Sequence, residues 1–205
     1  MTHLYLIRHG EIEPRYHRVF GGRIDMNLSP QGELQAQALA HYLSKTKFDA
    51  IYASPMKRAQ QTVAPLMAAY KFQATVLPDL REVDFGDWTG LSWQELHDKF
   101  QISAFSWLEM MEQAAVPNGE SSQTFRARIE PCLKEILDKN SGKTVGVVCH
   151  GGVIRMLLSV LLYLPLPKMG LFEIEYASIT QVHYTPQKTE VQLLNFTPWR
   201  DLHEK

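Results

Sequence analysis

Residues 144–152 read Thr144-Val145-Gly146-Val147-Val148-Cys149-His150-Gly151-Gly152, and residues 4–11 read Leu4-Tyr5-Leu6-Ile7-Arg8-His9-Gly10-Glu11. Each is a short apolar run that ends in a histidine followed by glycine. An uninterrupted apolar run of this length, bounded by glycine, is the pattern of a strand buried on both faces. The first of them passes directly into Val153–Tyr163, a mostly apolar helical stretch. Strand-like runs that alternate with helical patterns predict an α/β layered fold.

Working outward, the alternation continues. Ser29-Pro30 supplies an N-cap and a proline at the first helical position, ahead of Leu34, Ala38, Leu39, Tyr42 and Leu43 at helical spacing. Ala50–Ala53 reads as a strand. Ser54-Pro55 reads as a second cap, ahead of Met56, Ala59, Val63, Leu66, Met67 and Tyr70 on one face. Ala74–Leu77 reads as a short strand, and the Asp- and Gly-rich segment from Leu80 to Leu91 as loop. Helices are predicted over Trp93–Phe100, Phe105–Gln113 and Phe125–Leu137, with a break at Pro117-Asn118-Gly119. Ile179–Tyr184 and Val191–Phe196 read as strands around a turn at Pro186-Gln187-Lys188. The tail from Trp199 is short and polar. No repeat or linker interrupts the pattern, so residues 1–205 are read as one domain.

Composition limits the partners. The 205 residues carry 21 Lys and Arg against 22 Asp and Glu, a formal charge of −1, so no global basic field serves nucleic acid or an anionic membrane. An anion site has to be a local cluster. The two cysteines, Cys132 and Cys149, form no CxxC pair and no disulfide framework, which fits a reduced, cytoplasmic setting. No secretory leader is read at the N-terminus. The longest uncharged apolar run, Met156 to Leu166, is shorter than the ~20 residues of a membrane span.

The chemistry-bearing residues gather at strand ends. In α/β sheets ligands bind beyond the carboxyl ends of the strands, where Arg8, His9 and His150 fall. The helix that opens after His150 offers free N–H groups and a positive dipole end to an anion. Arg58 stands in the first turn after the second strand, and Glu82 in the loop Leu80-Arg81-Glu82-Val83-Asp84-Phe85-Gly86-Asp87-Trp88. Taken singly, each has an ordinary structural alternative: a polar loop cap, a surface arginine, a solvated acid. Together they supply one group for each task in phosphoryl transfer. Arg8 and Arg58 clamp phosphate oxygens. A neutral imidazole attacks phosphorus, and a second, as its cation, stabilises the transferring charge. A carboxylic acid protonates the leaving alkoxide. No GxxxxGK[ST], HExxH, GxSxG or paired CxxC competes with this reading. Two histidines and a glutamate could suggest zinc, but the adjacent arginines would repel a cation, so no metal and no cofactor are expected.

Four motifs in order complete the pattern: Arg8-His9-Gly10-Glu11; Ser54 with Arg58-Ala59 and Thr62; Leu80-Arg81-Glu82 with Phe85-Gly86-Asp87-Trp88; and His150-Gly151-Gly152. The chain resembles the histidine phosphatase superfamily in its phosphoglycerate-mutase-like branch. The resemblance implies a three-layer α/β/α sandwich with a mostly parallel central sheet. It implies a metal-independent phosphomonoester hydrolase acting through a phosphohistidine on His9. Arg8, Arg58 and His150 would form the phosphate pocket, the backbone N–H of Gly151 would join it, and Glu82 would be the proton donor. The compact length, Phe85-Gly86-Asp87-Trp88 and the stretch from Trp107 to Pro117-Asn118-Gly119-Glu120 are similar to α-ribazole phosphatases of cobalamin assembly. The expected partner is therefore a small phosphate ester, with α-ribazole phosphate as candidate. Mutase-type phosphoryl transfer, a fructose-2,6-bisphosphatase-like activity and a non-catalytic phosphoester-binding protein are the alternatives. Nucleic acid and membrane are not expected partners, and the oligomeric state is open, with a homodimer as one candidate.

One position departs from the family. Seven residues after the motif arginine the family commonly carries an asparagine that touches phosphate, and here that position is Arg15. Arg15, Gly22, Arg23 and Gly151 are the expected substrate-binding residues, with Arg15 or Arg23 on a second anionic group. The alternative is a pair of solvated arginines on a loop. Trp88, Trp93 and Trp107 are read as packing or pocket wall, Arg155 as an ion-pair residue orienting the site, Glu120 and Ser121 as helix caps, and Cys149 as buried core.

Overall fold

The computed structural model describes residues 1–70 and 72–202; the last residues of the polar tail, 203–205, lie outside the described residues. Six strands, β1 (Thr2–Arg8), β2 (Ala50–Ala53), β3 (Thr75–Val76), β4 (Thr144–Cys149), β5 (Ile179–Thr185) and β6 (Lys188–Phe196), form one sheet in the order β3-β2-β4-β1-β5-β6. The β3-β2, β2-β4 and β4-β1 pairs are parallel. The β1-β5 and β5-β6 pairs are antiparallel. The sheet is therefore a parallel core with an antiparallel flank, the mostly parallel arrangement expected.

Its central strands are buried on both faces, which is why they read as unbroken apolar runs. Leu4 and Leu6 of β1, with Val145 and Val147 of β4, point into one core. That core is closed by α3 (Trp93–Phe100), α4 (Trp107–Glu112), α5 (Ser122–Lys139) and α6 (Gly151–Leu162). Ile7 and Val148 alternate to the other face and meet α1 (Pro30–Leu43) and α2 (Lys57–Ala68). A final short helix, α7 (Pro198–Asp201), contacts α1. Helices on both faces of one sheet make the three layers.

Most caps follow the sequence. The Ser29 hydroxyl accepts from the Gly32 N–H ahead of Pro30, Ser92 and Glu95 form a reciprocal capping box, and Ser121 accepts from the Thr124 N–H. The expected cap at Ser54-Pro55 is corrected. The second helix begins at Lys57 behind Met56, and the Lys57 N–H is taken by Asp25 Oδ1 at 2.8 Å, a residue 32 positions upstream. Two loop readings also sharpen. The β3 strand keeps only two exposed residues, an edge that borrows its pairing from β2. The 80–91 loop is held by a single turn at Gly86–Trp88, which buries Trp88 completely. Gly86 lies at φ +48°, and a Cβ there would stand 2.2 Å from the Pro117 carbonyl oxygen. Only glycine fits that crossing of two loops.

Candidate active site

Register brings the site together. In the β1-β4 pair Arg8 lies level with Cys149, and in the β2-β4 pair Ala53 lies level with Val148. The three residues that leave these strands, His9, His150 and Ser54, therefore emerge side by side at one carboxyl edge of the sheet. The cleft above them has a volume of about 550 Å³ and is bordered by Arg8, His9, Arg58, Glu82 and Gly151.

His9 is 4% exposed. Its Nδ1 is 2.7 Å from the Gly10 carbonyl oxygen, which can only accept. The proton therefore sits on Nδ1, and the lone pair of Nε2 is free on the other side of the ring. Arg58 Nε donates to that Nε2 at 3.2 Å and to His150 Nδ1 at 3.2 Å. The two ring centroids are 5.1 Å apart. With its Nδ1 accepting, neutral His150 carries its proton on Nε2 and donates it to the Ser54 hydroxyl at 2.7 Å. His150 has no exposed surface.

Burial pushes both imidazoles well below the ordinary histidine value, and the Arg58 and Arg8 charges push in the same direction. Both are thus neutral near pH 7. For His9 this is the nucleophilic form. His150 is likewise uncharged in the free protein, so the cationic role expected of it belongs to the ligand-bound state. The sign for stability follows. A folded-state value below the unfolded one of about 6.5 contributes stability that is present above that pH and is lost as pH falls through it. We expect the melting temperature of the ligand-free protein to fall between pH 7 and pH 5, while the acid limb of kcat/KM lies below about pH 6.5. Calorimetry and a pH–rate profile check both. A flat melting temperature over that window contradicts neutral burial.

Arg58 is locked in place. Nη1 donates to the Ile24 carbonyl at 2.7 Å and Nη2 to the Gly22 carbonyl at 2.9 Å. Gly22 borders the cleft, and the role the structure gives its carbonyl is to hold Arg58. Arg8 Nη1 donates to the Ile174 carbonyl at 2.6 Å, its guanidinium lies 4.0 Å above the Tyr176 ring, and its buried Nε has no hydrogen-bond partner among the described residues. Thr62 links two motifs: its hydroxyl donates to the Arg58 carbonyl and accepts from the Gly10 N–H.

Glu82 faces the first turn of α6. Its Oε2 accepts from the Gly152 N–H at 3.2 Å and its Oε1 from the Val83 N–H at 2.9 Å. A Cβ on Gly152 would stand 2.5 Å from Oε1, so the second glycine of the motif makes room for the acid. The backbone of the acid loop is held by Arg128. It donates to the carbonyls of Asp79, Arg81 and Glu82, and grips both oxygens of Glu120.

The remaining expected residues separate. Arg15 is exposed, pairs with Glu13 at 3.2 Å and lies outside the cleft lining. Arg23 pairs with Asp84 and Glu120 and also lies outside it. The position after the motif arginine that differs from the family therefore points to solvent, because Pro14 starts a helical turn that carries Arg15 outward. Arg155 borders the cleft but forms no ion pair among the described residues. It donates to the carbonyls of Gly151 and Phe172, and burial beside Arg8 lowers its pKa to about 10. Ser121 is a cap, whereas Glu120 accepts from the Asp84 N–H and Arg128 instead. Cys149 is fully buried, and burial raises its thiol well above the usual value. Trp88 is core, and Trp93 and Trp107 are cleft wall.

The sequence gives Ser54 only a helix cap and gives no individual role to Thr62, Tyr176 or Arg128. Ser54 and Thr62 lie inside a quoted motif, a usable signal. Tyr176 and Arg128 have none, because long-range packing alone brings them to Arg8 and to the 79–82 backbone. Ser54→Ala would leave the His150 N–H buried without an acceptor, a loss of roughly tenfold in kcat/KM. Ser54→Thr should restore most of it in the same kinetic assay.

Comparison with known proteins agrees with this geometry. The profile of the histidine phosphatase superfamily (branch 1) matches residues 4–197. The chain is 30% identical to phosphoserine phosphatase 1 of Hydrogenobacter thermophilus over 197 residues, covering 96% of this chain and 93% of that one. It is 27% identical to the adenosylcobalamin/alpha-ribazole phosphatase of Escherichia coli over 192 residues, covering 94% and 95%. The solved structure of a mycobacterial glucosyl-3-phosphoglycerate phosphatase superposes with a TM-score of 0.85 at 27% identity, covering 94% of this chain and 98% of that one. With nearly its whole length matched, the chain belongs to the histidine phosphatase superfamily, branch 1.

Proposed function

We propose that the protein hydrolyses phosphate monoesters of a small metabolite, without a metal ion, through a phosphohistidine on His9. The observation that carries this reading is the tautomer of His9: a proton held on Nδ1 by the Gly10 carbonyl, with Nε2 unprotonated and accepting from Arg58 Nε. Nε2 attacks phosphorus as the bond to the leaving oxygen breaks, and Glu82 in its acid form gives that oxygen a proton. Water then displaces the phosphoryl group from Nε2, giving its proton to the Glu82 carboxylate. Arg8, Arg58 and the α6 N-terminus hold the phosphoryl oxygens throughout, supplying the positioning and charge on which phosphoryl transfer depends. His150 donates no charge in the free state and gains it only as the dianion enters.

Among the described residues no cluster of three or more His, Cys, Asp or Glu could hold a metal ion, and His9 Nε2 faces the Arg58 guanidinium. This donor set favours an anion over a cation. α-Ribazole phosphate is the candidate substrate, on the likeness to the Escherichia coli enzyme. The test is phosphate release in EDTA over α-ribazole phosphate, phosphoserine, phosphoglycerates, fructose 2,6-bisphosphate and an aryl phosphate. A rapid quench is run alongside to trap an acid-labile, base-stable phosphoryl group on His9. Release with trapping supports the reading. Esters that are rearranged with total ester phosphate conserved would select mutase-type transfer, and no release with no trapping overturns both.

A further inference from the structure

Beyond the floor that would hold the phosphoryl group, the cleft changes character. Its wall is made by Phe20, Phe85, Trp93, Phe105, Trp107 and Leu171. These rings meet edge to face: Phe20 with Phe85 at 5.0 Å, Phe85 with Trp107 at 5.4 Å and Trp93 with Phe105 at 5.3 Å. At the mouth Phe105 is 79% exposed and Leu171 is 81% exposed. Large apolar side chains clustered and open to water around a cleft mark a surface that is covered by a ligand.

The charges of this outer region point the same way. Apart from the floor groups, the cleft is bordered by Arg18, Arg155, Glu173 and Glu175. Arg155 is held by two carbonyls and Glu175 pairs with Arg200 at 3.9 Å, so Glu173 offsets Arg18 and the mouth keeps no surplus of positive charge for a carboxylate. The nearby Arg23 is engaged by Asp84 and Glu120. A carboxylate-bearing alcohol, such as an amino or hydroxy acid, finds no free guanidinium pair there. A neutral ring finds faces and edges on which to stack.

We infer that the outer cleft is a leaving-group site for a flat, neutral aromatic body, with Trp93 and Phe105 as its specificity-determining residues. The enzyme then prefers phosphate esters of aromatic-bearing alcohols to those of amino or hydroxy acids. This rests on the phosphatase reading above.

Aryl esters are intrinsically more reactive, so the test compares alkyl esters with similar leaving oxygens: naphthylethyl, octyl and ethyl phosphate, with phosphoserine and phosphoglycerate beside them. Burial and stacking of a ring should raise kcat/KM for naphthylethyl over ethyl phosphate by at least about 10-fold. Phosphoserine and phosphoglycerate should be the slowest. Phe105→Ala and Trp93→Ala should each lower the naphthylethyl-to-ethyl ratio by roughly 3- to 10-fold. Both residues are at the surface, and an unchanged melting temperature will confirm that the variants fold. Phosphoserine or phosphoglycerate as the best ester overturns the inference while leaving the phosphatase reading intact. So does octyl phosphate above naphthylethyl phosphate, or a ratio that neither variant moves. No turnover of any ester overturns the phosphatase reading and this inference together.

Discussion

His9→Ala abolishes phosphate release, by at least about 10⁴-fold in kcat, because no other group is placed to carry the phosphoryl group. The neighbouring imidazole is no substitute. His150 turns its Nδ1 to the same Arg58 N–H, but its other nitrogen is committed to Ser54 at 2.7 Å. The variant should still fold: only the Gly10 carbonyl loses its partner, at the floor of an open cleft, while Arg58 stays tied to two carbonyls. It should also still bind phosphate esters, because the guanidinium floor is intact. Phosphate release and ester binding, measured together on the same preparation, separate a lost nucleophile from a lost fold. Turnover within tenfold of the parent would remove His9 from the reaction.

Glu82→Gln should split substrates by leaving group. A general acid contributes about 10²–10⁴-fold where the leaving oxygen needs a proton. Alkyl phosphates should fall by that range, whereas p-nitrophenyl phosphate, whose phenolate leaves unassisted, should lose less than about tenfold. Glutamine keeps an oxygen for only one of the Gly152 and Val83 N–H groups, which Glu82 meets with separate oxygens, so part of any uniform loss is positional. Equal losses on both esters would mean that Glu82 holds α6 and donates no proton. The same contrast exposes residues that act through Glu82. Arg128→Ala frees the carbonyls of the acid loop and should reproduce the split in weaker form. A loss that is uniform across esters would reduce Arg128 to general packing.

Much of this site is legible in residue order alone. A strand that ends in His-Gly places that histidine at the sheet edge whatever surrounds it, because the strand is buried on both faces and its end is where the polar groups reach water. The helix cap at Ser54 was misread for a physical reason. A serine before proline is a good cap in isolation, but Asp25 arrives from a distant loop and takes the Lys57 N–H, while the Ser54 hydroxyl accepts from the Met56 N–H and from His150. Of the two readings of Arg15, the ligand-free structure shows the solvated one. Its spacing from Arg8 is that of a phosphate ligand, but the intervening turn directs the side chain to solvent and to Glu13.

By itself the sequence determined the alternating elements, the two buried strands and the five groups, Arg8, His9, Arg58, Glu82 and His150, because each rests on local periodicity or on a motif spanning a few residues. The tertiary structure decided what no local pattern encodes. The β2-β4-β1 register sets Ser54, His150 and His9 side by side. Burial, with Arg58 set between the two imidazoles, holds both neutral. The apolar wall of the cleft is assembled from segments that begin at Phe20 and end at Leu171. Strand register and desolvation are properties of packing across more than a hundred residues of chain, so they exist only once the sheet has closed.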